Sequence, residues 1–257
     1  MNLQSKVRFA VEILEKFKNW NHKYVFFSGG KDSLVALDLA AKFWKDFEII
    51  YVEVTGNTHP KCNKYARKIG NEYGNFVHLK NEEEDFFERL GDWGYPSIIW
   101  IHSNRWCLKH FKNRPIHSYV RYRGVGVSGI SPYNSSRRKM LKLQPIMLNT
   151  SYWVPVSILP LYHFTEKDVW SYIRHNGLEI NPLYGKIGAS GNCVICPGMS
   201  KCKFIRVARH CKEFFHRWRK AHEKIKHSMV GIREIFRRFD EWYEFYCKNK
   251  SLDEFFG

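Results

Sequence analysis

The residues with the clearest chemical capacity are Ser28-Gly29-Gly30-Lys31-Asp32-Ser33. Two glycines let a turn approach an anion closely and aim successive N–H groups at one point. Ser28 and Ser33 add hydroxyl donors and Lys31 adds a point charge. A helix starting here would contribute the partial positive charge of its N-terminus. The hexapeptide is suited to phosphate. It is not a Walker A loop, because the four-residue gap before Gly-Lys-Ser/Thr is missing. The bland alternative is a glycine-rich strand-to-helix turn with no ligand.

The cysteines form the second constellation. Cys193-x-x-Cys196 lies in a Gly/Pro-flanked loop, a spacing that turns two thiolates toward one centre; Cys202 follows six residues later and Cys107 lies far upstream. Four thiolates would suit structural Zn²⁺ among other centres. Arg105, Lys109, Lys201 and Lys203 flank these positions and would offset thiolate charge. Cys62 and Cys211 read as small apolar residues, and Cys247, in an aromatic helical pattern, as a buried thiol.

These groups need a scaffold. Residues 3–19 repeat apolar side chains at helical spacing, and Tyr24–Phe27 is a short β-type run before the glycine pair. Helical patterns at 31–45, 62–73 and 82–90 alternate with strand patterns at 48–54 and 75–79. Residues 124–130 suit a later central strand, and 165–176 a helix with Thr165 as N-cap. The alternation predicts an α/β fold, a parallel sheet flanked by helices. Beyond Gly188 the character changes to a Cys/Gly/Pro loop and basic, aromatic helices, so the chain divides into 1–188 and a helical extension, 189–257.

Charge is concentrated. The chain carries 42 Lys and Arg against 25 acids, a formal +17. Residues 93–165 hold ten basic and no acidic residues, and 201–238 hold 13 basic and 3 acidic. Such blocks fit a polyanionic partner, nucleic acid being the commonest, or simply a solvated basic face. No apolar run approaches a membrane span and the first twenty residues lack a signal-peptide core, so a soluble, cytoplasmic protein with no membrane contact is expected.

The loop and four later motifs, in order, carry a family resemblance. The loop at 28–33 resembles the pyrophosphate (PP) loop of the N-type ATP pyrophosphatases, or adenine-nucleotide alpha hydrolases. Arg105-Trp106-Cys107 through Lys112 to Pro115 resembles a Trp-Cys-x-x-x-x-Lys-x-x-Pro segment of the phosphoadenosine-phosphosulfate (PAPS) reductase family. Pro160-Leu161 with Phe164 to Ile173, then Asn181-Pro182-Leu183-Tyr184 and Gly191-Asn192-Cys193 to Pro197, continue that family's order. The resemblance implies a Rossmann-like (HUP-type) PP-loop domain. It also implies an adenine nucleotide, ATP or a sulfonucleotide (PAPS or APS), with Mg²⁺, and Asp32 as metal or phosphate partner beside Lys31. Nucleotide contacts are implied at Ser28 to Ser33, Thr55, Gly56, Gly129, Ser135 and Arg138. Cluster-bearing members place a [4Fe–4S] centre at the position of Cys107 with the later Cys-x-x-Cys; Cys202 would complete the set here, with Zn²⁺ the alternative.

Three departures bear on activity. Ser131 and Asn134 stand where family reductases carry Arg and Glu, and Val54 stands where Asp precedes Thr-Gly. The chain ends Lys250 to Gly257 without the Glu-Cys-Gly-x-His tail of the reductases, leaving Cys247 as the nearest thiol. Three readings stand. The first is ATP-dependent adenylation of nucleic acid (tRNA or DNA) linked to sulfur transfer; the second, a sulfonucleotide reductase; the third, a non-catalytic nucleic-acid-binding protein. The first two call for a sulfur or electron donor protein.

Overall fold

The computed structural model describes residues 1–97, 105–134, 143–148, 153–228 and 232–249. A six-stranded sheet lies at its centre, in the order β3-β2-β1-β4-β6-β5. The strands are β1 (Lys23–Phe26), β2 (Glu48–Glu53), β3 (Asn75–Lys80), β4 (Val125–Ser128), β5 (Ile146–Leu148) and β6 (Val156–Ile158). All adjacent pairs are parallel except the edge pair β5–β6. The expected Rossmann-like α/β class is observed. Phe26, the last residue of β1, pairs with Ser128, the last of β4, so these two strands end at one level, while β2 runs three residues beyond Ile50 along β3. Strand order reverses between β1 and β4, the crevice where open α/β sheets bind ligands.

Side-chain alternation explains why both faces are covered. Val25, Ile49 and Tyr51 enter one apolar cluster, whereas Tyr24, Ile50 and Val52 enter the other with Ile116 and Val120. A strand buried on both faces must be apolar at successive positions, as 49–52 are. The first cluster takes α1 (Leu3–Glu15) and α2 (Lys31–Phe43). Every residue of α2 from Ser33 to Ala40 is buried, so its start is held rigidly.

Element ends follow local chemistry. Helix α3 (Pro60–Tyr73) starts with proline at its first position, where the missing N–H has no intrahelical partner anyway. Helix α4 (Phe86–Trp93) starts later than the acid-rich pattern predicts. Asp85 is its cap, accepting from the Phe87 and Glu88 amides, and Asn81 turns the preceding chain by accepting from Glu83 N at 3.1 Å. A turn α5 (Trp106–Leu108) and a π-helical stretch (Lys109–Asn113) lead into α6 (Arg114–Val120). Helix α7 (Glu166–His175) carries the expected Thr165 cap, with Asp168 completing a reciprocal capping box.

Beyond α8 (Leu183–Ile187) come α9 (Lys201–His210), α10 (Lys212–Ser228) and α11 (Arg233–Lys248). Their aromatics are core. Tyr95 stacks on Phe239 at 4.9 Å, and its hydroxyl accepts from Trp218 Nε1 at 2.7 Å. Phe204, Trp218 and Phe239 are fully buried in the same cluster as the sheet residues. No helix among the described residues is long and apolar enough to cross a membrane.

Candidate phosphate-binding site

β1 leads through Phe27 into the turn Ser28–Gly30, and α2 begins at Lys31. Gly29 sits at φ +69°, and a Cβ there would lie 3.0 Å from Cys62 Sγ and 3.6 Å from Asn181 Nδ2. Both the dihedral and the close packing favour glycine. Gly30 is the N-cap of α2 and offers no side chain to its first-turn amides. Ser33 closes the turn: its hydroxyl donates to Gly30 O at 2.9 Å and accepts from Ser28 N at 3.1 Å. Ser28 Oγ lies 3.0 Å from Ser33 Oγ. Lys31 N donates to Tyr184 Oη at 2.9 Å.

Gly129 lies against this helix start. A Cβ on it would fall 2.6 Å from Asp32 C and 2.7 Å from Ser33 N. The loop after β4 therefore touches α2 backbone to backbone. Lys31 Nζ sits 2.9 Å from Asp32 Oδ2 and 3.6 Å from Glu166 Oε1, with the lysine side chain largely enclosed. Mg²⁺ typically takes one or two carboxylates plus substrate phosphates. Asp32 and Glu166, flanking the lysine at the loop, fit that requirement.

Two asparagines position the loop from outside, and the sequence reading assigned neither a role. Asn181 donates to Gly29 O at 3.1 Å and Ser190 O at 2.9 Å, while its own oxygen accepts from Leu183 N. Asn192 donates to Ser28 O at 3.3 Å and Val52 O at 3.1 Å. Both are almost completely buried. The 190–196 segment is in turn strapped to the turn after β2. Asn57 donates to Ile195 O and accepts from Ile195 N, Thr58 Oγ1 donates to Asn192 O, and His59 N donates to Gly191 O. The order of Asn181, Tyr184 and Asn192 in the family motifs was the available signal.

Thr55 and Gly56 are engaged within the protein. Thr55 Oγ1 donates to Asn81 O, Arg217 donates to Gly56 O at 3.0 Å, and Arg217 also pairs with Asp85 at 2.6 Å. Ser131 is fully buried, its hydroxyl donating to Phe164 O at 2.7 Å. Ser135 and Arg138 lie outside the described residues, as does the 250–257 tail.

Cys107, Cys193 and Cys196 are partly buried and close enough to influence one another electrostatically. Burial first, then its two neighbours, pushes the Cys107 thiol up to about 12. The Lys112 ammonium is drawn upward in pKa chiefly by Cys193, with which it hydrogen-bonds. Cys202 is exposed at the first turn of α9. Among the described residues no group of three or more His, Cys, Asp or Glu is arranged to hold a metal ion. As placed, with Cys202 exposed on α9 and the thiols not drawn together, these side chains do not form the four-thiolate set an iron–sulfur or zinc centre requires. Cys62 is buried, and burial raises its thiol to about 11 against the lowering effect of Tyr51 and Asn181, as an inert core residue requires. Cys211 is likewise buried, whereas Cys247 is exposed, contrary to its apolar pattern.

With this geometry in place, comparison with known proteins is informative. A family model described as the phosphoadenosine phosphosulfate reductase domain matches residues 22–199. An uncharacterized protein of Methanocaldococcus jannaschii is 30% identical over 253 residues, which is 95% of this chain but 58% of that relative's length. Adenosine 5'-phosphosulfate reductase 2 of Bacillus subtilis is 27% identical over 181 residues, 70% of this chain and 75% of the enzyme. Among solved structures, a PAPS reductase of Candida auris in a phosphate complex aligns with a TM-score of 0.50 at 21% identity, covering 72% of this chain and 84% of its own. That likeness concerns the fold.

Proposed function

The chain belongs to the phosphoadenosine phosphosulfate reductase domain family, and from that premise we propose that it is a PP-loop enzyme that uses ATP to adenylate an acceptor on nucleic acid for sulfur transfer. The observation that carries this reading is the Ser28–Ser33 turn. Its left-handed Gly29, an α2 start with no side-chain cap, and two buried asparagines holding its carbonyls keep a backbone anion cradle at the sheet's switch point.

In this account the loop amides and the α2 N-terminus hold the diphosphate portion of ATP. A nucleophilic oxygen of the acceptor attacks the α-phosphorus, the bond to the bridging oxygen breaks, and pyrophosphate leaves with the electron pair. Lys31 stabilises the charge that develops on the leaving group, where a fixed cation in an enclosed site acts most strongly. Mg²⁺, held by Asp32 and Glu166 with the phosphates, would supply further charge neutralisation. Ser33 keeps the turn closed, and Tyr184 orients its second half through the Lys31 amide. Sulfur would come from a separate donor protein. No step is drawn through an iron–sulfur cluster or zinc.

The Bacillus subtilis relative is an adenosine 5'-phosphosulfate reductase, which supports a second reading, reduction of a sulfonucleotide bound on the same loop. The two are separable by product. Release of AMP and pyrophosphate from ATP, stimulated by RNA or DNA and lost in Lys31→Ala, supports adenylation. Sulfite release from adenylyl sulfate with a thioredoxin-type electron donor, abolished by Cys247→Ala, would replace it with the reductase.

A further inference from the structure

The basic residues that the structure describes do not all end up in equivalent places. Arg121 and Arg123 immediately precede β4, at the end of the sheet opposite the phosphate loop. The block at 201–238 does otherwise. His59, at the start of α3, stacks on Phe214 of α10 at 5.5 Å, with Lys61, Lys186 and Glu213 close enough to affect its protonation. Lys186, Lys203 and Lys61 likewise all act on Cys211, at the corner between α9 and α10. Arg206 lies over Gly188, where an added Cβ would come within 2.9 Å of its Nη1. Lys203 Nζ reaches Cys193 O at 3.5 Å. A run of cations thus continues from the segment that braces the phosphate loop onto the α9–α10 corner.

Helix α10 extends that run. Arg217 and Lys224 are committed to Asp85 and Asp92 where the helix packs on α4. Lys212, His216, Arg219 and Lys220 are exposed and follow i, i+4, i+7, i+8 spacing, so they share one face about 12 Å long. No carboxylate among the described residues pairs with Lys212, Arg219 or Lys220. Glu213 and Glu223 are the acids on the exposed surface of this helix. Lys226 is exposed near that face as well, and Glu213 and Glu223 lie beside or on it, so four cations unpaired among the described residues outnumber two acids, a net positive face that suits an extended polyanion.

We propose that the exposed face of α10, continued through Arg206, Lys186 and Lys61, is the docking track for a single-stranded segment of RNA whose unpaired nucleotide enters the phosphate-loop cleft. This rests on the adenylation reading and adds the partner and its path. An atom stacked inside a duplex cannot reach a cleft at the end of a sheet, so the reacting nucleotide must be unpaired. RNA loops supply such nucleotides beside an accessible backbone.

The test uses the whole chain and a labelled RNA hairpin with an unpaired loop, compared with a blunt RNA duplex and a DNA hairpin of matching sequence. Affinity is measured by anisotropy across a salt series. ATP binding is measured separately by calorimetry, and circular dichroism verifies folding. Single-strand contacts contribute about −0.7 each to the slope of log K against log salt. The triple variant Lys212→Glu/Arg219→Glu/Lys220→Glu should therefore lose about 2 from the magnitude of that slope, bind the hairpin at least about tenfold more weakly, and bind ATP as before. Arg121→Glu/Arg123→Glu, at the opposite end of the sheet, should leave the slope unchanged. Wild-type binding by the triple variant, equal binding of the blunt duplex, or equal binding of the DNA hairpin would each overturn the proposal. ATP binding with no RNA binding at all would overturn the track and leave the nucleotide site standing. Loss of ATP binding in the wild type would instead remove the function on which the proposal rests.

Discussion

Gly129→Ala tests whether the start of α2 is the cradle. The added Cβ would lie 2.6 Å from Asp32 C and 2.7 Å from Asp32 O and Ser33 N, whereas ordinary contact begins near 3.4 Å. All three atoms are backbone in the first turn of a helix buried along most of its length, so no rotamer change relieves the clash. The helix start or the β4 loop must shift by about 0.8 Å. Overpacking of this kind costs about 1–3 kcal/mol, which lowers Tm by about 2–4 °C for each kcal/mol in a chain of this size. A misplacement near 1 Å in a positioning element can also cost about a hundredfold in rate. Calorimetric ATP titration and thermal unfolding of the same variant separate the two effects. The expectation is weaker ATP binding by tenfold or more, at a temperature where the variant remains folded. Gly185→Ala is the control. A Cβ there meets nothing within 4 Å, so it should stabilise α8 by about 0.5–1 kcal/mol and leave binding unchanged. A fall in Tm for Gly129→Ala with an unchanged ATP Kd would refute the reasoning, because α2 would have moved without consequence for the nucleotide.

Three further outcomes follow from the geometry. Asn57→Ala removes both hydrogen bonds to Ile195 and leaves its buried backbone groups unpartnered; it should cost about 2–4 kcal/mol and open the 193–196 segment to limited proteolysis. For Asp168, burial alone would raise the carboxyl, but the Lys6 ammonium at 2.5 Å and the Thr165 hydroxyl and amide together hold it below the usual carboxylate range. Its stabilisation is present above the unfolded carboxyl pKa and fades as pH falls through the lower folded value. Denaturant titrations should therefore show Asp168→Asn less stable near pH 7, with the difference closing below about pH 4. In peptide mapping after brief alkylation of native protein at neutral pH, Cys202 and Cys247 should be labelled and Cys62 spared, since it is fully buried and its thiol is raised to about 11. Rapid labelling of Cys62 would mean that the packing behind Gly29 is open.

Much of the scaffold was legible because its signals are local. The continuous apolar run at 49–52 and the Thr165 cap each act within a few residues, and each marks its element correctly, whereas the helix read from 62 starts two residues earlier, at Pro60. The late start of α4 was misread because its acids look like first-turn residues, whereas Asp85 caps and Asn81 turns the chain. β5 and β6 are three residues each, too short for any periodicity to announce them. At the site, Ser28 to Ser33 was readable from glycine spacing. The braces were not, because Asn181 and Asn192 act across more than 150 residues of chain on carbonyls that the sequence does not display. The cysteines show the limit of spacing as a guide. Cys193 and Cys196 come near enough to Cys107 to act on it electrostatically, but helix α9 starts at Lys201 and carries Cys202 into solvent.

The central claim is that the turn leaving β1 holds a nucleotide diphosphate on its amides. The most direct measurement is an ATP titration of isotopically labelled protein with the backbone amides of Gly29, Gly30, Asp32 and Ser33 assigned. Large, saturable shifts at these four amides, repeated with adenylyl sulfate and absent in Lys31→Ala at the same concentrations, are the predicted result. Saturable nucleotide binding that leaves the four amides unmoved would contradict the account.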